Sequence, residues 1–312
     1  MNRKCSFMFP GQGAQYIGMG KDFFDRYLEA REVYQEAEDI LGQNISRVCF
    51  EGPESELLKT ENSQLAIFLT SMAILKVIYA QFPSLVPAVT TGLSLGEYSA
   101  LVASKKLIFS EAVKLVRKRA LLMNEACLRE EGTMSAVIGL DYEQVLKVVS
   151  PLESEKVWIA NCNSPGQIVI SGVKQGIEKA SLLLKESGAK KVIPLKVHGA
   201  FHSGLMEYAR ENLKKEIEKV SFSDSSIDIV MNATGNYLES IEHLSELMLK
   251  QVVSSVLWQQ GIEAIASKGV EYFIEIGPGK VLTGLNKRIL KNAQKTISIE
   301  KVSDLEFLGN EF

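Results

Sequence analysis

Cysteine is scarce in this chain: there are four in 312 residues, Cys5, Cys49, Cys127 and Cys162, with no C-x-x-C pair among them. That spacing argues against a disulfide framework, a zinc ribbon or a dithiol redox motif. Three of the four sit in apolar segments, where a reduced thiol packs as a small hydrophobe, so a reducing, cytoplasmic setting is expected. Histidine is scarcer still, with three copies, which limits the candidates for any base that works near neutral pH. Excess positive charge is missing too. The 35 Lys and Arg against 38 Asp and Glu give a net charge of -3, without the basic field that nucleic acid or a membrane surface attracts. Neither is expected as a partner. After Arg3-Lys4 the apolar run Cys5 to Phe9 is too short for a signal sequence and stops at Pro10-Gly11. No run reads as long enough to span a bilayer, and there is no internal repeat, low-complexity tract or flexible linker.

What is present is the composition of a globular protein, 46 % hydrophobic and 23 % charged. A chain of this length buries about three quarters of its unfolded surface without a covalent staple. The most informative stretch is Gly92-Leu93-Ser94-Leu95-Gly96. The apolar approach from Val86 to Thr91, the serine between two glycines, and Tyr98, Leu101 and Val102 on one helical face predict strand, sharp turn and helix. In such an elbow the serine backbone is strained and the glycines keep Cβ atoms out of the crossing. The Ser94 hydroxyl then projects above the sheet beside the N–H groups of a helix start, which can hold an oxyanion.

Upstream, Cys5 to Phe9 reads as a buried strand closed by Pro10-Gly11-Gln12-Gly13. Tyr16 stands where a dinucleotide fingerprint needs its third glycine, so no Rossmann site is expected. Helices are predicted over 21–42, from a cap at Asn62 or Ser63 to Phe82, and from a cap at Ser110 to about Leu128. From Gly132 the units shorten: strand 134–140, helix 142–149, strands 157–161 and 167–171, helix 176–187, strand 191–197. That order, β-α-β-β-α-β, is the ferredoxin-like arrangement. The predicted fold is therefore α/β: an α/β-hydrolase-like core with a parallel sheet over 1–131 and 198–312, plus an inserted ferredoxin-like βαββαβ subdomain over 132–197. The seam of such an insertion is where a ligand cleft is expected. The apolar strand Val270 to Ile276 runs into Gly277-Pro278-Gly279-Lys280, which lacks P-loop spacing and reads as structural.

A serine nucleophile needs a base. His243 lies in a polar helical stretch and reads as a surface residue, whereas His198 and His202 both fall where the chain re-enters the core. His202 is favoured, because it follows the small pair Gly199-Ala200 and Phe201 and precedes a helix that Ser203 can cap. No Asp or Glu stands in an obvious third position, which leaves a backbone carbonyl to orient the imidazole. On the helix after the elbow, Arg117, Lys118 and Arg119 are either a solvated face or, for one turned toward the serine, a bidentate clamp for a carboxylate. The elbow alone equally fits a serine thioesterase or esterase, which has no use for such a clamp.

Taken in order, Phe9-Pro10-Gly11-Gln12-Gly13, GLSLGEYSAL around Ser94, Arg119, Asn161-Cys162-Asn163-Ser164-Pro165-Gly166-Gln167, Gly199-Ala200-Phe201-His202-Ser203 and Glu275-Ile276-Gly277-Pro278-Gly279 extend over nearly the whole chain. This series closely resembles the malonyl-CoA:acyl-carrier-protein transacylase family, and also the acyltransferase domains of fatty-acid and polyketide synthases. The resemblance implies ping-pong transfer of a malonyl group from malonyl-CoA to the phosphopantetheine thiol of acyl carrier protein, with neither metal nor other cofactor. The pathway implied is fatty-acid synthesis, with a polyketide pathway as the alternative. Ser94 would be the nucleophile, His202 its base, and Arg119 the partner of the free malonyl carboxylate. The backbone N–H groups of Gln12 and Leu95 would form the oxyanion hole, and the Gln251 carbonyl would orient His202. Asn163 and Phe201 join the substrate-binding set, Phe201 by narrowing the space beside the acyl α-carbon. Two positions depart from the family pattern: Leu93 stands where members commonly have histidine, and Ser254-Ser255 where they have Asn-Pro. The first bears on acyl preference more than on the base.

Overall fold

A computed structural model of the chain describes residues 3–197 and 199–312; His198, the other base candidate, lies outside the described residues. Among the described residues ten strands follow one another: β1 (Cys5–Phe9), β2 (Val89–Gly92), β3 (Thr133–Ile138), β4 (Val157–Ser164), β5 (Gln167–Gly172), β6 (Lys191–Pro194), β7 (Asp228–Met231), β8 (Asn236–Tyr237), β9 (Tyr272–Ile276) and β10 (Lys295–Ile299). They form two sheets, in the orders β10-β9-β1-β2-β7-β8 and β4-β5-β3-β6. Tertiary contacts divide the chain into two compact units. One comprises the chain up to Ala120 with Val220–Val230 and Ala264–Phe312; the other comprises Leu121–Lys219 with Met231–Glu263.

In the first unit β10, β9, β1, β2 and β7 pair in parallel. Parallel strands inside a sheet are covered on both faces, so they are buried along their length instead of alternating with exposed positions. Accordingly β1 and β2 are buried at every residue. The 22-residue helix Thr60–Gln81 is long and apolar enough to cross a bilayer, contrary to the expectation that no run would be. Yet 83 % of its qualifying window is buried inside the protein, which makes it a core helix. Its start corrects a second expectation: neither Asn62 nor Ser63 caps it, because the helix already begins at Thr60. Both side chains turn to backbone carbonyls instead, Asn62 Nδ2 donating to Glu56 (2.9 Å) and Ser63 Oγ to Thr60 (3.3 Å). The helix predicted over 21–42 is two helices, Lys21–Arg26 and Leu28–Leu41, broken at an extended Tyr27. The bend accompanies an aromatic cluster in which Phe24, Tyr34 and Phe50 lie with ring centroids 5.0 to 5.7 Å apart.

The second unit holds β3 to β6. All their pairings are antiparallel, and the helices Tyr142–Val149 and Lys174–Glu186 fill the two crossovers, giving the βαββαβ order read from the sequence. Both helices pack on one sheet face against Val137, Ile159, Ile168 and Ile170 through Val145, Ile177 and Leu184. Each fully buried aliphatic side chain stabilises by roughly 1.5–3 kcal/mol, so this face is the subdomain's main source of stability. Asp141 and Gln144 close a capping box at the first helix, each side chain accepting from the other's backbone N–H at 2.9 Å. Strand β4 continues to Ser164, beyond the predicted Asn161, and β6 stops at Pro194, where the missing N–H ends a ladder.

Strand β10 and the helix Leu305–Glu311 have no counterpart in the sequence reading. Glu311 ties that helix down by accepting from Arg3 (2.5 Å) and Tyr272 Oη (2.8 Å) and pairing with Lys295. These partners, Lys295 foremost, hold its carboxyl down at about 2. A carboxyl whose folded pKa lies below its unfolded value contributes stability that is present above the unfolded value and lost as pH falls through the folded one. The group is half-buried at the surface with exposed cationic partners, so the effect is local. Acidification from about pH 5 to about pH 2 is expected to lower hydrogen-exchange protection in 305–311, corrected for intrinsic rates. Glu311→Gln should show the lower protection already at the upper pH; equal protection in the two proteins there would contradict this account.

Candidate active site

In the first unit β2 ends at Gly92, and the helix Gly96–Ala103 follows the turn Leu93-Ser94-Leu95. Ser94 has φ 52°, the left-handed region that a non-glycine residue occupies at a cost and that recurs at functional turns. A Cβ on Gly92 would collide with the Gly96 carbonyl, one on Gly96 with the Phe9 carbonyl, and one on Gly11 with the Leu93 carbonyl. The end of β1, the elbow and the helix start therefore cross at backbone distance. Leu93 N donates to the Phe9 carbonyl (3.0 Å), and the Leu93 carbonyl accepts from Gly96 N (2.9 Å). Leu93 thus serves the turn through main-chain groups that any residue there supplies. Gln12 is half-buried in the loop after β1, and Leu95 immediately precedes the helix, whose first N–H groups, those of Gly96, Glu97 and Tyr98, donate to the carbonyls of Leu93, Ser94 and Leu95.

The helix Phe109–Arg129 buries Ala112, Val116, Ala120 and Met123, and Arg119 falls on the same stripe with 1 % exposure. Its neighbours go elsewhere: Lys118 faces solvent and Arg117 donates to the Glu61 carbonyl (3.2 Å). Arg119 donates from Nη2 to Ser94 Oγ (3.0 Å) and from Nη1 to Gln64 Oε1 (2.5 Å), with its Cζ 5.6 Å from the Tyr98 ring centroid. A guanidinium can only donate, so Ser94 Oγ accepts in this bond and its own proton is directed to another group. Burial lowers the Arg119 pKa, opposed by Tyr98 and Glu97, and burial pushes the Tyr98 phenol up to about 12. The result is a desolvated positive charge at the serine oxygen, a place that favours an incoming anion.

In the second unit His202 is buried, with φ 57°. Its Nδ1 lies 2.7 Å from the carbonyl of the fully buried Gln251, near the end of the helix Leu244–Val253. A carbonyl only accepts, so Nδ1 carries the proton and the neutral ring keeps Nε2 as its acceptor, the tautomer that a base requires. Ser203 shapes this turn, donating to the Ala200 carbonyl (2.6 Å) and accepting from Leu205 N (3.2 Å) as the cap read from the sequence. Phe201 and Asn163 are buried, and Asn163 Oδ1 has no hydrogen-bond partner among the described residues. Ser254 and Ser255 donate to the carbonyls of Lys250 (2.8 Å) and Ile159 (2.5 Å). A cavity of about 270 Å³ beside His202 is lined by Tyr142, Leu146, Trp158, Val253, Ser254 and Ser255, among others. It is below the roughly 300–1,000 Å³ of small-molecule pockets. His243 is exposed.

An acyl transferase domain model matches residues 6–309. The chain belongs to the acyl transferase family. Among relatives it is 42 % identical, over 97 % of its length and 95 % of theirs, to a malonyl CoA-acyl carrier protein transacylase of Bacillus subtilis. Among solved structures it is similar to the malonyl CoA-acyl carrier protein transacylase of Clostridium perfringens: TM-score 0.94, 40 % identity, covering 99 % of this chain and 96 % of that one. It is also similar to a malonyl-transacylase solved in complex with a type II PKS acyl-carrier protein: TM-score 0.94, 35 % identity, covering 99 % and 100 %.

Of the residues singled out from the sequence of this acyl transferase, Ser94, Leu95, Gln12 and Arg119 belong to the first unit. His202, Gln251, Phe201 and Asn163 belong to the second. Sequence reasoning passed over Gln64, which is 1 % exposed and orients Arg119. Its signal was a polar residue leading an apolar run that it does not cap. The four cysteines are free and buried, and burial raises Cys5 to about 12 and Cys127 to about 11, so neither thiol is a reactive nucleophile. Because the elbow glycines are set by backbone contact, Gly96→Ala in this acyl transferase is expected to cost about 1–3 kcal/mol or more, read by urea unfolding. An unchanged midpoint would show that the crossing can relax.

Proposed function

We propose that this acyl transferase moves a malonyl group from malonyl-CoA to the phosphopantetheine thiol of acyl carrier protein through a malonyl-Ser94 intermediate. The observation that carries the proposal is the buried Arg119 guanidinium 3.0 Å from the Ser94 oxygen. A malonyl group carries its carboxylate one methylene beyond the acyl carbon, so an ester on Ser94 holds an anion within reach of that cation. An enzyme built for neutral esters gains nothing from a desolvated guanidinium beside its nucleophile. The names of the relatives, and the solved complex with an acyl-carrier protein, support the same donor and acceptor.

In the proposed sequence the Ser94 proton passes to His202 Nε2 while Oγ attacks the thioester carbonyl of malonyl-CoA. The N–H groups of Gln12 and Leu95 hold the oxyanion, and the Gln251 carbonyl stabilises the imidazolium through Nδ1–H. Arg119 exchanges its bond to Ser94 Oγ for the malonyl carboxylate. Collapse breaks the C–S bond, and CoA leaves with the proton from His202. The carrier thiol then repeats the steps in reverse, giving up its proton to His202 as it attacks the ester, and Ser94 regains its hydrogen. One oxyanion donor is worth about 2.7–4 kcal/mol in the transition state, against roughly 1.5–3 kcal/mol for a charge-assisted bond, so the first governs rate and the second substrate choice. We further propose that the transfer serves fatty-acid synthesis in the cytoplasm, a compartment in keeping with four free cysteines.

Incubation with malonyl-CoA is expected to add a malonyl group to the intact protein, seen by mass spectrometry and absent from Ser94→Ala. Subsequent addition of carrier protein should yield malonyl-carrier; rapid release of free malonate whatever the acceptor would overturn transfer in favour of hydrolysis. Arg119→Ala should lower kcat/KM for malonyl transfer roughly 10- to 100-fold while sparing acetyl transfer. Equal losses with both acyl groups would refute the clamp.

A further inference from the structure

The turn after β9 has no part in the reaction as written, yet a buried carboxylate is spent on it. Glu275 is fully buried and pairs in parallel register with Met8 of β1. Its Oε1 accepts from Leu282 N (3.0 Å) and its Oε2 from Thr283 N (2.8 Å), at the start of the helix Val281–Ile289. The residue at the cap position, Lys280, makes no side-chain cap bond, so the helix start is held from inside, across the turn. Desolvation pushes the carboxyl up to about 7 against the pull of those two N–H groups, a burden that a surface cap would not bear.

The turn is fixed on its other side as well. Gly277 N donates to the Ile299 carbonyl (3.3 Å), Gly279 N to Glu300 Oε1 (3.0 Å), and Ser298 Oγ to the Gly279 carbonyl (3.1 Å). It then abuts the loop after β1 at both ends. Gly277 has φ 141°, and a Cβ there would come within 2.8 Å of Pro10 Cγ and Cδ, while one on Gly279 would lie 3.7 Å from Ala14 Cβ. From the opposite side the Leu93 carbonyl leaves no room for a Cβ on Gly11. Within the loop Ala14 N donates to the Gly11 carbonyl (3.3 Å) and Gly13 N to Gln15 Oε1 (2.7 Å), groups on either side of Gln12.

We infer that Glu275 is a positioning residue for acyl transfer: by clamping the turn Gly277–Gly279 it braces the loop Pro10–Ala14, which presents the Gln12 N–H to the developing oxyanion. The inference rests on the reading of Ser94 and Gln12 given above. An oxyanion donor acts when charge develops, so a displaced loop slows acylation without weakening substrate binding. A merely structural Glu275 would instead reduce the number of active molecules.

Rapid-quench mass spectrometry of malonyl-Ser94 on the full chain separates the two. Glu275→Gln, which replaces one acceptor with a donor, is expected to slow the acylation burst about ten-fold or more while its amplitude stays that of wild type. The malonyl-CoA Kd, measured on a Ser94→Ala background, should be unchanged. An unchanged burst rate, or loss of amplitude alone, overturns the inference. Should Glu275→Gln fail to fold, Glu300→Ala releases the same turn at Gly279, with the same two outcomes. A normal adduct on wild type together with an unchanged variant rate sinks this inference alone; no adduct on wild type sinks it together with the proposed function.

Discussion

The Phe9 carbonyl, at the end of β1, accepts the Leu93 N–H and stands where a side chain on residue 96 would have to go. Around this crossing the first unit is arranged. It brings the strand that ends at Phe9 and the helix that starts at Gly96 so close that only glycine fits on the helix side. The turn that joins β2 to that helix carries Ser94 in a left-handed backbone conformation. Strain of this kind persists when its surroundings over-determine it. Here they do so through parallel pairing of β1 with β2 and β9 and through the glycines on both sides of the serine.

The second constraint is electrostatic. Removing a guanidinium from water costs several kcal/mol, and Arg119 recovers part of it through Gln64, Ser94 and the Tyr98 face. Gln64 in turn belongs to the buried helix Thr60–Gln81, whose apolar length accounts for its resemblance to a membrane span. The core helix thus does two jobs: most of its surface packs, and one polar side chain near its start aims a cation. In the second unit the same economy appears at His202, where a main-chain carbonyl takes the place of an acidic triad member. A carbonyl sets the tautomer as well as a carboxylate would, but brings no negative charge with it.

Much of this was legible in the sequence because the signals were local. The glycines at 92 and 96, the proline at 10 and the short units from 132 to 197 are punctuation that acts within a few residues. They placed the elbow, the loop after β1 and the βαββαβ subdomain. Signals that depend on distant partners were less legible. Asn62 and Ser63 resemble caps by residue type, but they lie within the helix and donate to the carbonyls of Glu56, ahead of it, and Thr60. Tyr27 breaks a continuous helical pattern where an aromatic cluster forms around Phe50. Strand β10 alternates polar and apolar residues like an ordinary edge strand, and it is defined only by its pairing with β9.

By itself, then, the sequence determined the family, the βαββαβ order of 132–197, and the residue types at the turn around Ser94, because backbone conformation at a tight turn depends on the residues within it. Which of three adjacent basic residues is buried, that Gln64 holds it, and that Glu275 ties a turn beside the Pro10–Ala14 loop were decided only by tertiary structure. Those are facts about desolvation and about groups that separate elements bring together, and the free energy of burying a charge is set by what folds around it.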